Sequence, residues 1–166
     1  VLKGKTHIQA LNPETTTWII SVGVDAETPF QTELKDHFSN AKTLTLARNA
    51  TANDISKVVS QLGANDQVII GIHDVRSRPS NNLPLSKDLY QFLSEQTAKN
   101  TVFSLFANPY NLPLIKSIEN SKGLIVAYQK EEFMQKAVAD FIKGKTLASG
   151  KLPVTVSPSF KFGSGE

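Results

Sequence analysis

Short apolar runs rich in β-branched residues alternate with amphipathic helical patterns along almost the whole chain, and this rhythm limits the fold more than any other feature. Thr17 to Val24 ("TWIISVGV"), Lys42 to Ala47 ("KTLTLA"), Gln67 to His73 ("QVIIGIH"), Thr101 to Ala107 ("TVFSLFA") and Gly123 to Gln129 ("GLIVAYQ") read as strands. Helical periodicity falls between and after them. It predicts a helix over 29–40 with Thr28 as N-cap and Pro29 in the first turn, and one over 51–62 capped by Thr51 or Asn53 and stopped by Gly63. A third covers 86–99 with Leu89, Phe92 and Leu93 inward. Residues 108–121 read as a turn leading into a short helix. The last, over 130–144, presents Phe133, Val138, Phe141 and Ile142 as its apolar face and ends at Gly144.

Strict strand–helix alternation implies a mostly parallel sheet wrapped by helices on both faces. The expectation is therefore a three-layer αβα sandwich with five or six strands and flavodoxin-like topology. The third run is apolar on both faces, as a central parallel strand would be. Ligands or partners of such folds meet the loops at the carboxyl ends of the strands. Those loops are Asp25 to Thr28, Ala47 to Asn49, Asp74 to Leu83, Asn108 to Asn111 and Gln129 to Lys130.

The closing stretch "SGKLPVTVSPSFKFGSGE" breaks the rhythm. Leu152, Val154, Val156, Phe160 and Phe162 fall at every second place, apart from a skip at Ser157-Pro158-Ser159. The pattern predicts a half-buried extended segment, an extra edge strand or an arm on a neighbouring domain. Pro153 and Pro158 suit an edge, because each removes a ladder donor.

With 166 residues, 40% hydrophobic and 20% charged, the chain has the size and composition of one globular domain. A net charge of +3, with lysines spread rather than massed, argues against nucleic acid binding by a basic stripe. There is no cysteine, so disulfides, thiolate metal sites and Cys nucleophiles are out. No apolar run reaches the length of a membrane span. The chain begins at Val1 without methionine and without a signal peptide, which suggests a piece of a longer protein.

The first turn, "GVDAETPF", has no glycine after Gly23, which argues against phosphate binding of the dinucleotide or flavodoxin kind. A P-loop and a G-x-S-x-G elbow are also lacking. A receiver-type phosphoacceptor would need two adjacent acids after the first strand, an aspartate after the third and a lysine after the fifth. Asp25, Asp74 and Lys130 stand near those places, but the first acid is alone and Arg76 and Arg78 would compete with Mg²⁺. His73-Asp74 could be a general base with its orienting carboxylate. Neighbours on a strand point to opposite sides, so the preferred reading has one capping the sheet and the other facing solvent. His7 and His37 have no partners at metal-ligand spacing and read as surface residues, and no metal site is expected.

The loop "RSRPSNN" offers anion- and hydroxyl-reading groups with no acid or base among them. "NPYN" offers an amide and a phenol at a strand end. Its structural reading is an Asx-type turn at Asn108, fixed by Pro109, with the Tyr110 ring packed and its hydroxyl wet.

Taken in order, "FANPYNLPLI", "LIVAYQ", "KGKTLASGKLPVTV" and "FKFGSGE" resemble the C-terminal α/β sandwich domain of family 3 glycoside hydrolases. The opening "VLKG" is similar to the segment that joins that domain to the family's barrel. The resemblance covers essentially the whole chain. It implies a division into 1–16 (linker from a barrel domain), 17–150 (sandwich) and 151–166 (extended end of the same domain). The partner it implies is an N-terminal (β/α)₈ barrel of the same polypeptide, which supplies the nucleophilic aspartate, with carbohydrate bound at the domain interface. No cofactor is implied. A bacterial periplasmic or secreted protein is implied ahead of a cytoplasmic one.

In β-glucosidase-like members a glutamate on a sandwich loop is the general acid. In β-N-acetylglucosaminidase-like members a His–Asp pair on the barrel does that work. The loop "HDVRSRPSNN" lies where the glutamate would stand and has none; its one carboxylate, Asp74, sits at the strand end. A retaining pair needs carboxyls about 5–5.5 Å apart. The departure favours a non-catalytic domain of an exo-acting β-N-acetylhexosaminidase, itself inactive. Arg76, Arg78, Asn108, Tyr110 and Asp74 are the expected cleft contacts, with no catalytic residue among them. Two alternatives remain: a β-glucosidase sandwich whose acid is Asp74, or a free-standing receiver-like or small-ligand module.

Overall fold

The computed structural model describes residues 1–78 and 80–166. Five strands, β1 (Thr17–Val22), β2 (Ala41–Leu46), β3 (Gln67–His73), β4 (Thr101–Phe106) and β5 (Gly123–Val126), form one sheet in the order β2-β1-β3-β4-β5. Every pairing is parallel. This is the strand order of flavodoxin-like folds, with the reversal between β1 and β3. The helices are α1 (Lys5–Gln9), α2 (Pro29–Lys35), α3 (Ala52–Val59), α4 (Lys87–Gln96) and α5 (Glu132–Ile142).

The period-two arrangement of side chains splits the strands between two cores. Ile20, Val22, Ile70, Ile72 and Phe103 pack against α3 and α4 through Ile55, Val58, Leu89 and Phe92. Ile19, Ile69, Val102 and Phe106 pack against α2 and α5 through Phe30, Leu34, Val138 and Phe141. β1, β3 and β4 are buried along their whole length, which is why they read as unbroken apolar runs.

Local chemistry sets the helix starts. Thr28 caps α2 by accepting from Gln31 N, and Gln31 answers by accepting from Thr28 N at 3.0 Å. At α3 the cap is Thr51, paired in the same way with Asp54, and not Asn53. Gly144 follows α5 at φ 71°, the left-handed turn expected after a helix.

Several expectations change. Phe133 is 62% exposed, because the inward stripe of α5 runs through Met134, Val138 and Phe141, and Phe133 lies one position off it. The short helix expected within residues 108–121 is divided into two 3₁₀ helices, Pro109–Leu114 and Ile118–Asn120. The end of the chain adds no sixth strand. It folds back on itself, with Leu152 N donating to Ser164 O and Val156 N to Phe160 O, both at 2.8 Å. Leu152 and Phe160 enter the α3/α4 core while Phe162 is 74% exposed, so alternation holds only in part. The Pro residues leave no continuous row of donors for a sheet edge. The first residues lie on β5 instead: Leu2 N donates to Leu124 O and Leu124 N to Lys3 O, each at 2.9 Å. α1 buries Ile8 against the α2/α5 side. Among the described residues no helix is long and apolar enough to cross a membrane.

Candidate functional site

A parallel sheet delivers all its strand ends to one rim, so the loops after β1, β3, β4 and β5 are the first place to look for function. Between β1 and β3, where such sheets open a crevice for ligands, the chain closes on itself. Gly23 has φ 92°, and a Cβ there would lie 2.5 Å from His73 O. Glycine is required for that approach. Leu85 Cδ2 would stand 3.5 Å from the same Cβ, and Leu83 is buried beside it. The β3–α4 loop thus occupies the space a small ligand would use.

His73 and Asp74 end β3, and both are buried, which corrects the expectation that one of them faces solvent. His73 stacks on the Phe106 ring at 4.7 Å between centroids, and its Nε2 has no hydrogen-bond partner. Burial lowers its pKa to about 3, so the ring is neutral at ordinary pH.

Asp74 turns the other way and meets Arg76. Arg76 Nε donates to Oδ1 at 2.8 Å, Nη2 to Oδ2 at 2.7 Å, and the Arg76 backbone N to Oδ1 at 3.2 Å. This is the planar two-bond fork that guanidinium and carboxylate form best. Burial by itself would raise the Asp74 carboxyl; the Arg76 hydrogen bonds and charge, helped by Lys130, outweigh it and hold the group below its usual range. Asp74 is a fixed anion.

The other expected contacts separate into two sets. Arg76 is spent on Asp74 and on Ser80 Oγ, 3.2 Å from its Nη1. Asn108 Oδ1 accepts from Tyr110 N at 3.0 Å, the Asx turn that its structural reading called for. Arg78 and Tyr110 are exposed and reach solvent. Pro79, part of the same loop motif, lies outside the described residues. Asp25 is exposed, and among the described residues no three acidic or imidazole groups gather as a metal site. Lys130 Nζ donates to Val75 O at 3.0 Å and to Arg76 O at 2.9 Å, so it is committed to backbone and not to a phosphoryl group.

Two features of the rim had no signal in the sequence. Tyr128, just after β5, has φ 65°, and Gln129 N donates to Ala127 O at 2.8 Å around it. That is the strained form of γ-turn, costly for an aromatic residue. Secondly, Val75, Tyr110, Leu114, Tyr128 and Phe133 make up five of the seven large apolar side chains exposed among the described residues, and all five follow β3, β4 or β5.

No family model matches the sequence, and no curated protein matches it. A solved structure of a glycoside hydrolase family 3 β-N-acetylglucosaminidase from Paenibacillus sp. str. FPU-7 is similar, with TM-score 0.64 and 16% identity over 90% of this chain. The likeness spans 29% of that enzyme's chain. The chain shares the fold of one segment of that longer enzyme.

Proposed function

We propose that this chain is a non-catalytic sandwich domain that packs on a (β/α)₈ barrel and flanks the cleft of an exo-acting β-N-acetylhexosaminidase. The observation that carries the reading is the state of Asp74. A general acid for glycoside cleavage needs a carboxyl whose pKa is raised, free to reach the glycosidic oxygen. Asp74 has both requirements reversed, being 1% exposed and locked in a fork with Arg76. His73 is buried and neutral, its ring stacked on Phe106 and its Nε2 without a partner, so it holds no proton to give at ordinary pH.

The apolar rim supports the rest. Val75, Leu114 and Phe133 are exposed apolar side chains that a second domain would cover, and the exposed Arg78 and Tyr110 remain the candidate contacts for a sugar. The fold shared with a segment of a β-N-acetylglucosaminidase agrees with this assignment. A free-standing ligand module gains no support, because Leu83 and Leu85 fill the crevice it would need.

The test compares this chain with the longer polypeptide that contains it, using a chromogenic β-N-acetylglucosaminide. The chain alone is expected to release no product. In the longer polypeptide Asp74→Asn is expected to leave kcat within about threefold, because it removes no proton donor. Turnover by the chain alone, or a kcat loss of about a hundredfold or more in Asp74→Asn, would defeat the reading.

A further inference from the structure

The β3–α4 loop has six exposed residues among those described between positions 75 and 82, Arg78 one of them, a composition that ordinarily makes a mobile segment. Its backbone is nevertheless tied from elements that lie far away in sequence. Lys130, from the β5–α5 loop, spans Val75 O and Arg76 O at 3.0 and 2.9 Å. Asn111, from the 3₁₀ turn after β4, donates from Nδ2 to Ser80 O at 3.1 Å and to Asn108 O at 2.9 Å. Asn111 is buried and Lys130 half-buried. The Asp74–Arg76 fork fixes the loop's first turn, and Arg76 Nη1 adds Ser80 Oγ.

Carbonyl oxygens held by an ammonium and by a buried amide stay in place on the timescale of substrate binding, because these donors are themselves anchored. We infer that Lys130 and Asn111 are positioning residues, which clamp the β3–α4 loop at Val75–Arg76 and at Ser80 and so set where Arg78 stands on the rim. Neither touches the sugar; both act through the loop backbone. The assignment rests on the proposed cleft-flanking role and adds to it what makes the wall rigid. A preformed wall spares the ordering cost that a loose loop would impose on binding.

Two measurements separate the clamp from the functional reading. Backbone ¹⁵N relaxation on this chain follows the amides of Arg76, Ser77, Arg78 and Ser80. Lys130→Met, which keeps length and loses the donors, is expected to lower their order parameters from about 0.85 to below about 0.6 while β3 and β4 stay rigid. Lys130→Arg, which retains donors, is expected to restore the rigid values. Asn111→Asp removes the Nδ2 donor at constant size and serves as the independent second variant. Unchanged loop order parameters in both variants overturn the clamp, as does loosening spread equally over β3 and β4.

Steady-state kinetics of the longer polypeptide supply the other readout. Lys130→Met is expected to raise KM about three- to tenfold with kcat within twofold, and Lys130→Arg to return KM toward its original value. A loosened loop with unaltered KM overturns the positioning role and leaves the domain assignment intact. A longer polypeptide with no hexosaminidase activity defeats the domain assignment, while the relaxation data still decide the clamp.

Discussion

Acidification should weaken this fold through His73 well before its carboxylates protonate. The imidazole is 3% exposed, stacked 16° from coplanar on Phe106. Its Nε2 lies 2.8 Å from where a Cβ on Gly71 would stand, and Phe30 Cδ1 is 3.0 Å from that same point. No acceptor meets that nitrogen, and the neighbouring carboxylate is turned to Arg76. The folded pKa of about 3 compares with 6.5 for the unfolded chain. A base whose folded pKa is depressed contributes its full stability above the unfolded value and loses it as pH falls toward the folded one. The slope through that window is about 1.4 kcal/mol per pH unit, so roughly 2 kcal/mol disappears between pH 7 and pH 5 and about 4 kcal/mol by pH 3. His37, whose pKa burial and the nearby Lys143 and Lys145 also depress, has the same sign, so the His73 share must be isolated by substitution. Urea unfolding of wild type and His73→Phe at pH 7 and pH 5 does so. The phenyl ring keeps the stacking and cannot take a proton, and the variant is expected to lose about 2 kcal/mol less than wild type over that interval. Equal losses in both proteins, or an NMR titration that places His73 near 6.5, would refute the reasoning.

Two further substitutions probe the rim. Gly23→Ala forces a methyl to 2.5 Å from His73 O at a positive φ, and is expected to destabilise the fold by about 2–4 kcal/mol; an unshifted thermal midpoint would contradict the close approach. Arg76→Met leaves the Asp74 carboxylate buried without its fork and is expected to cost about 2–4 kcal/mol at pH 7. Without Arg76, burial raises the Asp74 carboxyl, so the cost is full at neutral pH and shrinks as falling pH protonates that carboxyl in the variant; equal deficits at pH 7 and pH 2.5 would count against the pair.

The functional candidates were legible to different degrees. Asp74, Arg76, Arg78 and Lys130 all fall on the rim because strand–helix alternation alone places the loops there. Their roles were not legible. Arg76 looks like a free anion reader in "RSR" and is instead a partner of Asp74, since only the turn between them brings the fork to 2.7 Å. Lys130 looks like a phosphoacceptor's lysine and instead holds two carbonyls 54 and 55 residues away in sequence. Tyr128 carries no warning of its positive φ, because strain belongs to the turn that Ala127 and Gln129 close around it.

Periodicity alone determined the layers of this protein: which runs are strands, which are helices, and that the sheet is parallel. Those properties follow from spacing along the chain, with side chains alternating every two residues or recurring every 3.6. Capping chemistry is equally local, and Thr28 with Gln31 could be found three residues apart. Only the tertiary structure decided that the β1–β3 crevice is filled, that Asp74 is an anion paired with Arg76, that Phe133 faces outward and that the end of the chain folds back instead of joining the sheet. Each of these depends on which distant groups arrive at the same place, and contact across the fold leaves no period in the sequence.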